Sequence, residues 1–379
     1  MKKSLMKKQS VTLELSSGKK LVGSLLGAPV KSSGELVFTT AMVGYTEALS
    51  DPSYFGQILV FAYPLIGNYG LPSPPKNRDL LERQFESQAV HASGVIISQA
   101  CYDVFHWTSG TTLDTWLKSK GVPGIVGLDT RYLVTQIRDH GGLFAKILPS
   151  DAVGERSLGD FNTVTHEDFF DPNQHPVVTE VSTKERKVYG KGKYKIAVYD
   201  FGVKWNILRS LLDKGFEIEV LPWQTDPSDV DCSAWILSNG PGNPNQTFDT
   251  KDRIRKLMEQ NKPILGICLG HQLLSLAAGA KVVHMSYGHR SHNQPVFVVG
   301  KKKAYITSQN HSFKIEEGSL PEDWNVWFRN VNDNSIEGIQ HQSLPFKSIQ
   351  FHPESSGGPR DTAWIFDEFL DGVKKHGNE

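Results

Sequence analysis

The chain has 379 residues, 22% of them charged, and its 41 Lys plus Arg balance 41 Asp plus Glu, for a formal net charge of zero. This balance excludes a global electrostatic attraction to nucleic acid or to an anionic membrane surface, so we expect neither as a partner. The length predicts roughly two or three domains.

The number and spacing of the cysteines indicate the cellular compartment. The three cysteines, Cys101, Cys232 and Cys268, are odd in number and irregularly spaced, which fits neither a disulfide framework nor a CxxC metal site. No run approaches the ~18 to 20 apolar residues of a membrane span. We therefore expect a soluble, cytoplasmic protein.

The first part of the chain consists mainly of short runs in which apolar and polar residues alternate, the pattern of half-buried strands. The predicted strands are 11–15, 21–25, 35–39, 57–61, 94–98 and 124–127. Helical patterns cover 112–120 and 130–140. We predict a smaller, β-rich α+β domain over residues 1–150.

Apolar periodicity fades between residues 151 and 194. This stretch contains Asp171-Pro172-Asn173-Gln174-His175-Pro176 and the charged run Lys184-Glu185-Arg186-Lys187. Such composition is typical of a linker region.

From residue 195 to 379 strand and helix patterns alternate. Strands are predicted at 195–199, 217–221, 234–237 and 264–267, and helices at 206–214, 251–260 and 273–278. This order predicts an α/β domain with a mostly parallel sheet flanked by helices. In such a sheet, ligands bind at the carboxyl ends of the strands.

Cys268 occupies one of these strand ends. It lies in Gly266-Ile267-Cys268-Leu269-Gly270-His271-Gln272, between an apolar strand and a helix. A Gly-x-Cys-x-Gly turn is the sulfur counterpart of the nucleophile elbow, in which the positive end of a helix favours the thiolate. A free cysteine is usually a small buried hydrophobe, but this context favours a nucleophile.

A base and a carboxylate follow in Phe351-His352-Pro353-Glu354-Ser355. In an extended segment His352 and Glu354 share a face, so the carboxylate can orient the imidazole. A second loop, Ser238 to Pro244, follows another strand, and Gly240 and Gly242 there let backbone N–H groups approach a ligand. Cysteine, histidine and glutamate together indicate acyl transfer.

The three motifs in this order resemble the class I, triad-type glutamine amidotransferases. The first half resembles the N-terminal domain of carbamoyl-phosphate synthase small chains, on Val37 to Glu47, Asp51 to Tyr54 and Tyr63 to Gly70. Matches at 127–131, 197–204 and 206–209 extend the resemblance over nearly the full length.

The resemblance implies that Cys268, His352 and Glu354 hydrolyse L-glutamine to glutamate and ammonia. The implied glutamine-binding residues are Ser53, Gly240, Gly242, Leu269, Gln272, Asn310, Ser312 and Phe313. Ser53 comes from the N-terminal domain, which would thereby share in the glutamine site and also face the partner. The chain departs from the family pattern at Ser312 and Ser291, where the family usually has glycine.

No phosphate-binding loop of the Gly-x-x-x-x-Gly-Lys-Ser/Thr type occurs, and we expect no cofactor on this chain. The resemblance implies a large subunit that uses ATP and Mg to make carbamoyl phosphate from bicarbonate and the delivered ammonia, the first step of arginine or pyrimidine biosynthesis or of both. A heterodimer, or a higher oligomer of heterodimers, is implied. We assign no metal, and expect His284, His289 and His292 to lie on a solvated loop.

Two other functions remain open from the residues. A stand-alone cysteine γ-glutamyl hydrolase would use the same elbow without a large partner. A non-catalytic regulatory homologue would usually lack the cysteine or the histidine, and both are present.

Overall fold

The computed structural model describes residues 9–72, 81, 84–103, 105–107, 109–159, 168–246 and 249–376. Contacts divide the chain into two compact units. The first comprises residues 1–50, 54–80 and 88–172, and the second comprises 51–53, 81–87 and 173–379. Among the described residues, none of the helices combines the length and the apolar composition that a membrane crossing needs.

The described residues of the first unit form eleven strands and three α-helices. The strands are β1 (Ser10–Leu15), β2 (Lys20–Gly27), β3 (Ser32–Thr39), β4 (Gln57–Phe61), β5 (Leu65–Ile66), β6 (Leu71–Pro72), β7 (Gly94–Ile97), β8 (Gln99–Ala100), β9 (Ser109–Thr111), β10 (Pro123–Val126) and β11 (Leu143–Pro149). The helices are α1 (Tyr45–Ser50), α2 (Leu113–Ser119) and α3 (Thr130–His140).

Seven of these strands close into a barrel in the order β1-β11-β3-β4-β7-β10-β2. Every second residue of a strand points to the same side, so one set of side chains from each strand faces the barrel interior. Val11, Leu13 and Leu15 of β1 are buried in the same cluster as Ile58 and Val60 of β4. The α+β prediction is confirmed in class, although the sequence did not indicate the closed barrel.

Helix α3 begins and ends where local chemistry dictates. The side chain of Asp129 accepts a hydrogen bond from the backbone N–H of Tyr132 at 2.9 Å, which satisfies one of the free donors of the first turn. Gly141 follows the last residue and takes a positive φ of 72°, and its N–H bonds to the carbonyl of Ile137.

In the part of the second unit that the structure describes, there are one large sheet and five α-helices. The strands are β12 (Lys187–Tyr189), β13 (Lys195–Asp200), β14 (Glu217–Pro222), β15 (Ala234–Leu237), β16 (Ile264–Ile267), β17 (Val282–Val298), β18 (Ala304–Ile315), β19 (Trp324–Asn330), β20 (Ile336–His341) and β21 (Phe346–Ile349). The helices are α4 (Val178–Val181), α5 (Trp205–Leu212), α6 (Thr250–Met258), α7 (Leu269–Ala278) and α8 (Trp364–His376).

The sheet has the order β12-β14-β13-β15-β16-β21-β20-β19-β17-β18. Its centre, β14-β13-β15-β16-β21, is parallel. Alternate residues of β13 face opposite sides: Ile196 and Val198 pack with α5 and α8, whereas Ala197 and Tyr199 pack with α6 and α7. Helices therefore cover both faces, which confirms the predicted α/β fold.

The remaining strands, β17 to β20, are an antiparallel extension that the sequence did not predict. His284, His289 and His292, expected on a solvated loop, lie on the 17-residue strand β17, so that expectation is wrong. The sequence pattern did not indicate β17, because bulges in its pairing with β18 interrupt the alternation of apolar and polar residues.

Part of the predicted linker region is ordered. Lys187–Tyr189 forms the edge strand of the large sheet, antiparallel to β14, and Val178–Val181 forms a short helix. Residues 160–167 lie outside the described part of the chain.

Candidate active site

Cys268 occupies a sharp turn between β16 and α7. Its backbone has φ 55° and ψ −104°, a conformation that is costly for a residue with a Cβ. Its N–H is tied to the carbonyl of Ile349, at the end of the neighbouring strand β21, at 2.9 Å. The side chain is buried at the positive end of α7.

Two glycines beside this turn allow neighbouring backbone segments to approach closely. A Cβ added to Gly270 would lie 2.0 Å from the carbonyl oxygen of Leu237, and one added to Gly240 would lie 2.1 Å from that of Phe201. Both distances exclude a side chain. The Gly240 loop and the first turn of α7 are thereby packed against each other, and a Cβ at Gly240 would also meet the Leu269 side chain at 3.0 Å.

His352 and Glu354 lie just after β21, next to the strand that carries the cysteine. His352 is fixed by its N–H, which donates to the carbonyl of Ser308 at 3.0 Å. Its Nδ1 donates to Oε1 of Glu354 at 2.7 Å. This bond leaves Nε2 free for chemistry, and Nε2 has no regular hydrogen-bond partner among the described residues.

Lys204, which the sequence analysis did not single out, completes the charge arrangement. Its Nζ donates to Oε1 of Glu354 at 3.0 Å and lies 3.4 Å from Nδ1 of His352, with the pair buried. Its N–H donates to the side-chain oxygen of Asn239 at 3.0 Å. Asn206, two residues further, donates to the backbone carbonyl of Glu354.

Burial and neighbouring charges shift the pKa values of His352, Glu354 and Lys204 in opposite directions. Burial and Lys204 lower the pKa of His352, but Glu354 and the sulfur of Cys268 raise it, and the net pKa is raised to about 10. Burial raises the pKa of Glu354, but Lys204 and His352 outweigh it and lower that pKa to about 2. The pKa of Lys204 is raised, since Glu354 and other carboxylates outweigh its burial. At neutral pH the site therefore contains a protonated imidazole, an ionised glutamate and a protonated lysine.

The sulfur has two polar neighbours besides the imidazole. Sγ lies 3.6 Å from the backbone carbonyl of Asn310, to which the thiol donates. The side-chain amide of Gln350 donates to Sγ at 3.7 Å.

Gln272, predicted to bind glutamine, has its amide nitrogen engaged inside the protein. Nε2 donates to the carbonyl of Phe313 at 3.2 Å and to Oε1 of Gln350 at 3.0 Å. Phe313 is buried beside His284, with ring centroids 4.9 Å apart.

Of the predicted oxyanion donors, Leu269 directly follows Cys268 in the chain. Leu269 is the first residue of α7, so its N–H has no acceptor within the helix. The Gly240 loop reaches Leu269 as described above, and Gly242 lies in the same turn. Backbone donors of this kind stabilise a developing oxyanion.

Ser53 was expected to belong to the N-terminal domain, but its contacts group it with the second unit. Its N–H donates to the carboxylate of Asp51 at 2.9 Å. Its hydroxyl accepts a hydrogen bond from the side chain of Asn239 at 3.0 Å. Because Asn239 also accepts from the backbone N–H of Lys204, which pairs with Glu354, Ser53 is linked to the triad through two residues, Asn239 and Lys204.

Ser312 and Asn310 follow each other closely on β18. The guanidinium of the buried Arg290 donates to the Ser312 hydroxyl, so the residue that departs from the family pattern has an internal partner. The Asn310 side-chain nitrogen is buried and has no partner among the described residues, which leaves it available to a ligand.

The described residues contain one buried group with metal-ligating chemistry, namely His289, His311 and Glu337, whose ligand atoms lie within 4.8 Å of one another. Hydrogen bonds already occupy them. His311 bonds the Phe313 carbonyl at 2.8 Å, and both imidazoles lie 3.0 Å from Oε1 of Gln309. We therefore treat the group as a hydrogen-bond network.

Lys204, Asn206, Asn239 and Gln350 contact the predicted site residues or each other, but sequence reasoning assigned them no role. Lys204 and Asn206 lie in a run that matched the family, and a lysine between a predicted strand and helix was the available signal. Gln350 precedes the Phe351-His352 motif and carried no signal of its own.

Comparison with known families agrees with this geometry. Residues 197–371 match the family model for glutamine amidotransferase class-I, and the second unit is a domain of that class. Residues 13–147 match the carbamoyl-phosphate synthase small chain, CPSase domain. The chain belongs to the carbamoyl-phosphate synthase small chain family, and it is a glutamine amidotransferase subunit.

Individual relatives align over nearly the whole chain. It is 44% identical to the carbamoyl phosphate synthase arginine-specific small chain of Emericella nidulans over 98% of this chain and 81% of that protein. It is 46% identical to the multifunctional protein CAD of Squalus acanthias over 95% of this chain, but spans only 16% of that protein's length. A solved glutamine amidotransferase of Thermotoga maritima is similar at 18% identity, with a TM-score of 0.36 over 50% of this chain and 87% of that one.

Proposed function

We propose that this chain hydrolyses L-glutamine through Cys268, His352 and Glu354 and delivers the ammonia to a large subunit that makes carbamoyl phosphate. The observation that carries the proposal is the 2.7 Å bond between His352 and Glu354 beside a cysteine held on a strained turn. A nucleophile, a base and a group that orients the base are the three elements of triad catalysis.

The first half-reaction forms a thioester. A side-chain amide is resonance-stabilised, so it needs a stronger nucleophile than water and an acid for the departing ammonia. The Cys268 thiolate attacks the amide carbon, and the backbone N–H groups of Leu269 and the Gly240 to Gly242 loop bind the oxyanion. One such donor is typically worth about 3 to 4 kcal/mol of barrier. The His352 imidazolium then gives its Nε2 proton to the leaving nitrogen, and ammonia departs.

The second half-reaction releases glutamate. His352, now neutral, removes a proton from a water molecule that attacks the γ-glutamyl thioester. The C–S bond breaks, and the sulfur leaves as the thiolate beside the re-formed imidazolium. Glu354 keeps the Nδ1 proton in place throughout, because its Oε1 accepts from that nitrogen.

Ser53, Gln272, Asn310, Ser312 and Phe313 are proposed to hold the substrate. The unpartnered Asn310 amide and the Ser53 hydroxyl supply polar groups for the amino-acid end of glutamine. For Gln272 the contact would come from its oxygen, since its nitrogen is engaged.

The partner is proposed to be a synthetase subunit that holds ATP and Mg, because this chain has no phosphate-binding loop. Ammonia released into neutral water would be protonated and lose its nucleophilicity, so an enclosed passage to that subunit is expected. A cytoplasmic heterodimer, or an oligomer of heterodimers, serving arginine or pyrimidine synthesis is the corresponding biological assembly.

The substitution Cys268→Ser tests the proposal in the reconstituted complex. Glutamine-dependent carbamoyl phosphate formation should fall by at least about a thousandfold, whereas synthesis from added ammonia should continue. The matched control, Cys101→Ser, changes a half-buried cysteine of the first unit and should leave both activities intact. Glutamine-driven product from the Cys268→Ser complex would refute the nucleophile. Full glutaminase turnover by the isolated chain, unaffected by the partner, would instead favour a stand-alone hydrolase.

A further inference from the structure

Gln350 lies between β21 and His352 and is completely buried. Its N–H donates to the carbonyl of Glu337 at 2.9 Å, which fixes the backbone at this point. Its side chain reaches the sulfur of Cys268, with Nε2 3.7 Å from Sγ. The effect of this contact on the sulfur depends on whether the amide nitrogen or the amide oxygen of Gln350 faces it.

A chain of hydrogen bonds settles that orientation. The carbonyl oxygen of Phe313 can only accept, so the Gln272 atom 3.2 Å from it is the nitrogen. That nitrogen also donates at 3.0 Å to Gln350, so the Gln350 atom facing it is the oxygen. The remaining atom, which faces the sulfur, is therefore the N–H donor.

The opposite neighbour of the sulfur has the opposite preference. The Asn310 carbonyl, 3.6 Å from Sγ, accepts a hydrogen bond from the S–H group and so favours the thiol. Once the sulfur ionises it has no proton to donate, and this contact loses its hydrogen bond. The Gln350 contact strengthens at the same moment, because hydrogen bonds to an ionised acceptor are about twice as strong as neutral ones.

We propose that Gln350 is a catalytic residue whose amide N–H stabilises the thiolate of Cys268, both before attack on the substrate and when the thioester breaks. The inference rests on the proposed role of Cys268 as the nucleophile. Gln272 is the positioning residue that keeps the donor end of Gln350 turned toward the sulfur. The same sulfur within a thioester is a weaker acceptor, so the contact favours the departure of sulfur in the second half-reaction.

The pH dependence of Cys268 alkylation by iodoacetamide tests the proposal without any need for turnover, since only the thiolate reacts. In Gln350→Met, which keeps the length and packing but loses the donor, the midpoint of the alkylation rate should move up by about one pH unit. Glutamine hydrolysis near neutral pH should fall by about tenfold. Peptide mass spectrometry assigns the label to Cys268 rather than to Cys101 or Cys232.

The matched control is Gln260→Met, in the same unit. Gln260 also makes two side-chain hydrogen bonds, accepting from Trp235 at 3.1 Å and donating to the carbonyl of Pro227 at 2.9 Å. Its alkylation curve should overlay that of the unmodified chain. An equal shift in Gln260→Met would overturn the proposal, because general loosening would then explain the change.

A second variant covers the case in which Gln350→Met does not fold. Gln350→Asn retains an amide but is one methylene shorter, so its nitrogen withdraws from the sulfur, and the alkylation midpoint should again rise. If the curve of the folded variant coincides with that of the unmodified chain, Gln350 has no catalytic role. Absence of glutamine hydrolysis by the unmodified complex would instead refute the proposed function, while a shifted alkylation curve would still support the Gln350 contact.

Discussion

Lys204 and Glu354 form a buried ion pair with 3.0 Å between Nζ and Oε1, and the same carboxylate oxygen accepts from His352 at 2.7 Å. One carboxylate thus serves two cations. The carboxylate of Glu354 raises the pKa of His352, whereas the charge of Lys204 lowers it.

Lys204→Met should raise the alkaline limit of glutamine hydrolysis. The charge of Lys204 lowers the pKa of His352, which is about 10 in the unmodified chain. Without the lysine, the His352 imidazolium should therefore stay protonated to a higher pH. The rate near neutral pH should stay within about tenfold, because the His352 to Glu354 bond is retained. The measurement is kcat/KM for glutamine between pH 6 and 11. Lys256→Met, which removes an exposed ion pair with Asp226, is the control. If the alkaline limb of the pH–rate profile of Lys204→Met does not move, or moves to lower pH, the expectation is contradicted.

Glu354→Gln should move the same limb in the opposite direction. Glu354 raises the pKa of His352, so without it the imidazolium deprotonates at lower pH and the acid is lost earlier. The loss of kcat/KM should be smaller than in His352→Asn, since glutamate orients the base and transfers no proton itself. Equal losses in the two variants would remove that division of roles.

Glu354→Gln should lower the free energy of unfolding, because the buried charge of Lys204 loses its carboxylate partner. Removing one partner of a buried ion pair typically costs about 3 to 5 kcal/mol, because a buried charge is left unpaired. Urea unfolding should show this loss, and the double variant Lys204→Met with Glu354→Gln should recover much of it. A double variant less stable than Glu354→Gln alone would show that the charge is not the cause.

Ser312→Gly should destabilise the protein while sparing substrate binding. The buried guanidinium of Arg290 donates to the serine hydroxyl, and an abandoned buried donor costs about 1 to 3 kcal/mol. If glutamine contacts this residue through its backbone, KM should change by less than about threefold. Unfolding experiments and steady-state kinetics on the same preparation separate the two effects. A large rise in KM without a loss of stability would assign the hydroxyl to the substrate.

The buried His289 should make stability depend on alkaline pH. Burial lowers its pKa, but Asp333 and Glu337 outweigh burial and raise it to about 9. A raised pKa means that the stabilisation is fully present below the unfolded value of about 6.5 and is lost as pH rises through about 9. The gap in unfolding free energy between the unmodified chain and His289→Asn should therefore be larger at pH 6 than at pH 10. His376→Asn, at an exposed histidine of the same unit, is the control.

Local patterns predicted the parts of this protein that local chemistry determines. Gly266 to Gln272 indicated the strand, the turn and the helix, and the structure has β16, the strained Cys268 and α7 in that order. The strand predicted at 57–61 coincides with β4 for the same reason.

Long-range partnerships could not be read in that way. Lys204 meets Glu354 only because β13 and β21 are brought into one sheet, and no local pattern encodes their separation. The orientation of the Gln350 amide likewise depends on a hydrogen bond from Gln272, which lies on a different element. The polar strand β17 was missed because bulges in its register interrupt the alternation on which the prediction depended.

The strands β16 and β21 pair in parallel with Ile267 opposite Ile349, and the N–H of Cys268 is bonded to the carbonyl of Ile349. Cys268 and His352, the proposed nucleophile and acid-base pair, thus follow two adjacent hydrogen-bonded strands, and the spacing of those strands governs their separation. We expect such a pair to be preorganised, because hydrogen bonds to neighbouring strands fix the backbones of both residues, so little reorganisation energy should be spent when the proton moves. Insertions in surface loops should accordingly be tolerated far better than a slip of a single residue between these two strands, which would turn the imidazole to the other face of the sheet.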